Sequence, residues 1–187
     1  INSKISKKLL NLDFNQQEKI DKILIELDGS ENKTNLGANA TLAVSLAYAK
    51  CTAIANKQSL YKSLGTSYSL PIPLMNIING GAHADNDLNI QEFMIRPDSA
   101  KNFTDAIEKC FLVINNLKKL LQSKKMLTNV GDEGGFAPSI NSNEEALDLI
   151  IQAIEKSKLK PGNDVVICLD VAANELMNEK GEYSVQS

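Results

Sequence analysis

The sequence predicts an α/β fold in which long helices cover a buried sheet, with a helical region ahead of it. Three observations predict this. Apolar strand-like runs at residues 74–78, 88–95 and 165–169 are separated by long helical patterns. The run at 165–169 is apolar at every position, as expected of a strand covered on both faces. The first third reads as helices, and the character changes at Leu70-Pro71-Ile72-Pro73.

In chain order, Phe14, Ile20, Ile23, Leu24 and Leu27 make one apolar stripe with charges between. That spacing predicts an amphipathic helix over 14–27, broken by Asp28-Gly29-Ser30. Residues 38–55 are rich in Ala and Leu and nearly free of charge on every face, which predicts a buried helix. A last short helical piece closes at Gly65. Strands follow over 74–78 and 88–95, joined through Asn79-Gly80-Gly81. Residues 103–121 carry the pattern of a long amphipathic helix capped near Asn102. A short strand around 128–130 leads into Gly131-Asp132-Glu133-Gly134-Gly135. Residues 143–158 predict another helix, with Glu144 and Glu145 in the first turn, where the helix dipole favours acids. Pro161-Gly162 ends that unit, and the apolar strand 165–169 stops at Asp170.

Composition bounds the function. With 187 residues, 43% hydrophobic and 23% charged, the chain has the profile of a soluble globular protein of one domain or pieces of two. Net charge is -3, from 20 basic and 23 acidic residues. Arg96 is the only arginine and no basic stripe is interleaved with aromatics, so nucleic-acid binding has little support. The lysine pairs Lys118-Lys119 and Lys124-Lys125 read as a solvated face complementing a helix dipole. Cys51, Cys110 and Cys168 lie far apart among apolar neighbours, which reads as buried thiols in a reducing compartment and neither a disulfide frame nor a zinc site. No apolar run approaches bilayer length and no signal-peptide pattern is present, so a cytoplasmic setting is the default expectation. Ile1 in place of Met and the strand-like run 183–187 predict a segment of a longer chain. A complete eight-stranded barrel needs roughly 250 residues, and only about half that number follow Leu70. A half-closed barrel leaves a raw strand edge, so if the sheet is a barrel the sequence is incomplete.

Polar groups interrupt apolar sequence at four places. Asn79-Gly80-Gly81-Ala82-His83-Ala84-Asp85 is a tight glycine loop carrying the chain's lone histidine; it reads either as a site loop or as a turn with a hydrogen-bonded surface histidine. In a regular strand Leu88, Ile90, Glu92 and Met94 share a face, which sets a carboxylate on an apolar side. An unpaired charge there is costly or titrates, while a bulge or a structural salt bridge would relieve it. Gln91 faces the other way unless such a bulge exists. The adjacent carboxylates Asp132 and Glu133 repel, which favours a raised pKa suited to a general acid; a bland Asp/Gly turn competes with that reading. Asp170 ends an apolar strand, where α/β sheets place catalytic and metal groups, although such a residue also serves as a helix cap.

Taken together and in order, these strings resemble the enolase family. The resemblance is carried by Leu70-Pro71-Ile72-Pro73, Met75-Asn76-Ile77-Ile78-Asn79-Gly80-Gly81-Ala82-His83-Ala84 and Gln91-Glu92-Phe93-Met94-Ile95. Val130-Gly131-Asp132-Glu133-Gly134-Gly135-Phe136-Ala137-Pro138 and Leu169-Asp170-Val171-Ala172-Ala173-Asn174-Glu175 continue it. Upstream, Leu27-Asp28-Gly29-Ser30-Glu31-Asn32-Lys33 and Leu36-Gly37-Ala38-Asn39-Ala40 are similar to the family's small N-terminal domain. It implies that residues 1–68 are the helical part of that α+β domain and residues 69–187 the first, incomplete portion of a TIM-like barrel.

The resemblance further implies Mg²⁺-dependent, reversible dehydration of 2-phosphoglycerate to phosphoenolpyruvate, a glycolytic lyase reaction, in a cytoplasmic homodimer or higher oligomer. By position Glu133 matches the proton donor, Gln91 and Glu92 the substrate-side strand, His83 the loop that closes on substrate, and Asp170 the first of three carboxylate ligands for Mg²⁺. The family's other two metal carboxylates, its catalytic lysine, its later substrate-gripping residues and its upstream serine loop have no counterpart here. One carboxylate does not hold Mg²⁺ tightly against water, so the segment alone is expected to be inactive. Two rivals remain: another metal-dependent enzyme of the same superfamily, and a non-catalytic surface or scaffold protein on the same fold.

Overall fold

In a computed structural model, residues 1–10, 16–131 and 133–184 are described. The chain divides into two compact units, Ile1–Ser69 and Leu70–Ser187.

The first unit holds four helices: α1 (Ile5–Leu9), α2 (Gln17–Asp28), α3 (Ala38–Ala55) and α4 (Leu60–Ser63). Ile5, Ile20 and Leu24 form its small core, against which Leu27, Leu36, Ala40, Val44 and Tyr48 pack. The spacing of Ala40, Val44 and Tyr48 puts them on one face of α3. Gln17 ties the two long helices together by donating to Ser45 Oγ at 3.0 Å. Helix α2 begins at Gln17, later than the stripe from Phe14 predicts, and Phe14 itself lies outside the described residues.

The expectation of a buried α3 does not hold. The helix forms where predicted, but Leu42, Leu46 and Ile54 are 57%, 47% and 74% exposed. A helix apolar on every side needs cover on every side, and among the described residues of this unit its main neighbours are α2 and α4.

The second unit contains β1 (Met75–Asn79), a 3₁₀ turn (Gly81–His83), β2 (Glu92–Arg96), α5 (Phe103–Ser123), α6 (Asn143–Lys156), β3 (Val166–Asp170) and a second 3₁₀ turn (Ala173–Leu176). Asn102 caps α5 by accepting from Asp105 N at 2.9 Å, and Ser142 caps α6 by accepting from Glu145 N at 3.1 Å. The sheet order is β1-β2-β3, with both neighbouring pairs antiparallel. The chain crosses two helices between β2 and β3, not the single helix of a parallel crossover. It therefore re-enters the sheet from the opposite end.

Ile77, Ile78, Phe93, Ile95 and Val165 pack under Cys110, Val113, Leu117, Leu121, Leu149, Ile150 and Ala153 of α5 and α6. The helices thus cover one face of the sheet. The both-faces expectation for 165–169 is corrected accordingly: only Val165 is buried, and Leu169 is 42% exposed. Two strand boundaries also differ from expectation. Around 128–130 there is only an isolated bridge from Val130 to Phe136. The second strand begins at Glu92, because Leu88 and Gln91 spend their carbonyls on Gly81 N and Gly80 N, at 2.8 and 2.9 Å, and do not extend the ladder. No helix of the described residues is long and apolar enough to cross a membrane.

Candidate active site

The sheet places three polar residues in one row. Asn79 ends β1 and pairs with Glu92 at the start of β2, and Glu92 in turn pairs with Asp170 at the end of β3. Strand alternation starts at Glu92, so the buried residues of β2 are Phe93 and Ile95, while Glu92 lies on the opposite face with Met94. The expected shared face of Leu88, Ile90 and Glu92 is therefore not formed. Leu88 and Ile90 pack into the core from an irregular segment, whereas Glu92 points away from that core.

His83 arrives over this row from the loop after β1. Gly80 makes the approach possible: a Cβ there would lie 2.5 Å from the Ile90 carbonyl oxygen and 2.5 Å from Leu88 Cβ. The backbone then turns through Gly81–His83, with His83 N donating to Gly80 O at 3.0 Å. The result is a buried Nδ1 with no hydrogen-bond partner among the described residues, 3.7 Å from a Glu92 oxygen and 3.5 Å from a Glu133 oxygen. Those distances are those of ion-pair contact, longer than a good hydrogen bond. One ligand-capable atom from each of His83, Glu92 and Glu133 lies within 4.8 Å of the others.

Glu133 is the most exposed of the three, its side chain 55% accessible against 15% for Glu92. It stands on the loop 131–135, which closes on itself through Gly131 N to Gly135 O at 3.0 Å and Gly134 N to Gly131 O at 3.2 Å. Asp132, invoked from sequence as the repelling neighbour, lies outside the described residues. Burial pushes the Glu92 carboxyl above its ordinary range, as do hydrogen-bonding contact with Glu133 and the negative charges of Glu133 and Asp170; His83 opposes this.

Asp170 is exposed, and its Oδ1 accepts from Ala172 N at 3.0 Å. An exposed carboxylate is the kind of hard oxygen donor that Mg²⁺ takes, so Asp170 fits the ion in kind; one carboxylate falls short of it in number. Gln91 is half-buried and lines an open depression with Ala172, Ala173, Asn174 and Glu175. All five residues picked from sequence thus lie at the rim of the sheet. His83, Glu92 and Glu133 meet there, Asp170 faces Glu92 across the ladder, and Gln91 opens toward the segment after Asp170.

Two residues given no role from sequence hold this rim together. Asn79 is fully buried and donates its amide to Gly134 O at 2.6 Å and Gly135 O at 3.0 Å. Asn86 donates to Asn79 O and to Pro138 O, each at 3.0 Å. The available signal was a polar residue ending an apolar strand before paired glycines.

A family model described as "Enolase, N-terminal domain" matches residues 1–64, and one described as "Enolase, C-terminal TIM barrel domain" matches residues 67–187. The chain is 61% identical over 189 residues to a curated protein named "Enolase" from Pelagibacter ubique (strain HTCC1062). That alignment covers 100% of this chain and 45% of the relative, so the chain spans about half the relative's length.

Proposed function

The chain belongs to the enolase family, and on that premise we propose that it supplies the general-acid side of a lyase site. The reaction is the Mg²⁺-dependent, reversible dehydration of 2-phosphoglycerate to phosphoenolpyruvate. The observation that carries this reading is the meeting of His83, Glu92 and Glu133 within 4.8 Å at the sheet rim, with Asp170 opposite Glu92.

Such a dehydration removes a weakly acidic proton beside a carboxylate, which is the difficult step, and then expels the hydroxyl from the next carbon as water. A general acid assists that departure, because a hydroxyl leaves far more readily once protonated. Glu133 is the proton donor: it is the most exposed side chain of the cluster and so the one most open to a substrate. Burial first, and contact with Glu133 after it, push the Glu92 carboxyl above its ordinary range, which supports proton uptake within the cluster. His83 sets its imidazole between them and closes the loop over the substrate. Gln91 lies on the substrate side of the same rim. Asp170 is the ligand this chain offers to Mg²⁺, which when bound supplies Lewis-acid stabilisation of negative charge on the substrate. With one such ligand, the 187-residue chain by itself is inactive. A cytoplasmic setting and assembly as a homodimer or higher homo-oligomer belong to the same proposal.

The test is Glu133→Gln in the full-length protein, followed by the ultraviolet absorbance of phosphoenolpyruvate. Loss of dehydration with the fold intact is the expected result. Undiminished turnover would remove Glu133 from that role.

A further inference from the structure

We infer that Asn79 is a positioning residue that pins the Glu133 loop, and that its amide is held in register for this by Asn76. The inference rests on the general-acid reading of Glu133 for its functional consequence, and on geometry for the rest.

Asn79 is 0% exposed, and a buried amide must find partners for two donors and an acceptor. Here they are divided in a definite way. Both donors go to one loop, through Nδ2 to Gly134 O at 2.6 Å and Gly135 O at 3.0 Å. The acceptor Oδ1 goes to Asn76 Nδ2 at 2.6 Å. Because the loop presents carbonyl oxygens, only the nitrogen end of the amide can face it. A flipped amide would set oxygen against two oxygens. Asn76, donating to the oxygen end, supports the same orientation, and its own Oδ1 is buried without a partner among the described residues.

The loop is shaped to accept this contact. A Cβ at Gly131 would lie 2.7 Å from Asn79 Nδ2, and one at Gly135 would lie 3.2 Å from it. The backbone on both sides of Glu133 therefore rests directly on the Asn79 amide. The main chain of Asn79 adds two more ties: its N–H donates to Phe136 O at 2.8 Å, and its carbonyl accepts from Asn86 at 3.0 Å. Asn79 is also the register partner of Glu92. One residue thus fixes the loop bearing Glu133 relative to the strand bearing Glu92, and its amide donates to the loop backbone rather than to either carboxylate. Placement errors of about 1 Å in catalytic groups can cost on the order of 100-fold in rate, which makes such a pin consequential.

The experiment compares Asn79→Ala, Asn76→Ala and Glu133→Gln by two readouts. The first is the imidazole chemical shift of His83, the chain's lone histidine, whose Nδ1 lies 3.5 Å from Glu133. In the 187-residue chain Asn79→Ala should move that signal in the direction Glu133→Gln moves it, and Asn76→Ala should do so to a smaller extent. The second is turnover in the full-length protein, where Asn79→Ala should lower kcat by roughly 10- to 100-fold with KM changed less than about threefold. A merely structural role would lower the melting temperature and leave both readouts at wild-type values in the folded fraction. A His83 signal unmoved in folded Asn79→Ala overturns the inference. If that variant does not fold, an unmoved signal in Asn76→Ala overturns it equally. If Glu133→Gln keeps its turnover while Asn79→Ala still shifts His83, the positioning stands and the general-acid reading falls.

Discussion

Glu92 and Asp170 face each other as a cross-strand pair at the rim of the sheet, two carboxylates where a stable sheet would place opposite charges or apolar groups. Glu133 adds a third acid beside Glu92, against a single imidazole from His83. Like charges directly opposite in a ladder destabilise it, so this arrangement works against stability.

Glu92→Gln should therefore stabilise the chain while impairing the full-length protein. The amide keeps the shape and removes a charge from a half-buried position. A gain of about 0.5–1 kcal/mol at pH 7 is expected in urea denaturation, shrinking as salt is raised because Asp170 is exposed to screening. A loss of stability in Glu92→Gln would mean that the His83 contact outweighs the repulsion.

The loop that carries Glu133 makes a sharper demand on its glycines. Gly134 and Gly135 both have positive φ, +82° and +69°. A Cβ at Gly134 meets nothing within 4 Å, but one at Gly135 would lie 3.0 Å from Ile77 C and 3.1 Å from Asn76 O. Gly134→Ala should then cost only the left-handed backbone, about 1–2 kcal/mol. Gly135→Ala adds an overlap with backbone that cannot rotate away, for a total of about 3 kcal/mol or more. Equal losses for the two in urea denaturation would show that contact with β1 is not what holds this loop.

These glycines also mark where sequence was informative and where it was not. The elements of the second unit were legible because their periodicity is local: the stripes of α5 and α6 and the runs of β1 and β3 declare themselves within a few turns or residues. The face of Glu92 was not legible. It depends on where alternation starts, and that is set by Gly80 and Gly81 taking the carbonyls of Gln91 and Leu88. The direction in which β2 pairs with β3 was not legible either, since an apolar run is compatible with both. For α3 the composition announced a helix meant for cover on all sides, and the exposure of Leu46 and Ile54 depends on what neighbours are present. The meeting of His83, Glu92 and Glu133 was legible only through ordered motifs, because no spacing rule relates residues so far apart in the chain.

Asp28 gives the first unit an acid-sensitive joint. Its carboxylate accepts from Ser30 Oγ and from the backbone N–H groups of Ser30 at 3.1 Å and Leu36 at 2.7 Å, folding the loop back onto the end of α2. The Ser30 hydroxyl first, and the Leu36, Ser30 and Asn35 contacts after it, hold this carboxyl below the usual aspartate range against the opposing effect of burial. A depressed folded pKa stabilises the native state above the unfolded pKa of about 3.9, and the benefit disappears as pH falls through the folded value. Wild type should therefore lose stability as pH is taken below about 4, with the Leu36 amide losing hydrogen-exchange protection early. Asp28→Asn should melt several degrees lower at pH 7 and show a flatter acid limb. An acid limb of the same slope in both proteins would exclude Asp28 as its source.

The three cysteines, expected from sequence to be uniformly buried, differ in the structure: Cys51 is exposed, Cys168 half-buried and Cys110 buried. Cys51 lies on α3, the helix whose apolar faces are only partly covered, whereas Cys110 lies on the face of α5 that packs into the core. Burial pushes the Cys110 thiol up to about 11, so at pH 8 roughly one molecule in a thousand would carry the reactive thiolate even if reagent could reach it. Reaction with an aromatic disulfide should be stepwise, with Cys51 first, Cys168 more slowly and Cys110 only after denaturant is added. Mass mapping of the labelled peptides checks the order. Because Cys110 packs with Val113 and Leu117 of its own helix, Cys110→Ala should cost about 1 kcal/mol by opening a small void, while Cys51→Ala should be close to neutral. Rapid labelling of Cys110 in native protein would mean that α5 leaves the sheet far more often than its buried face implies.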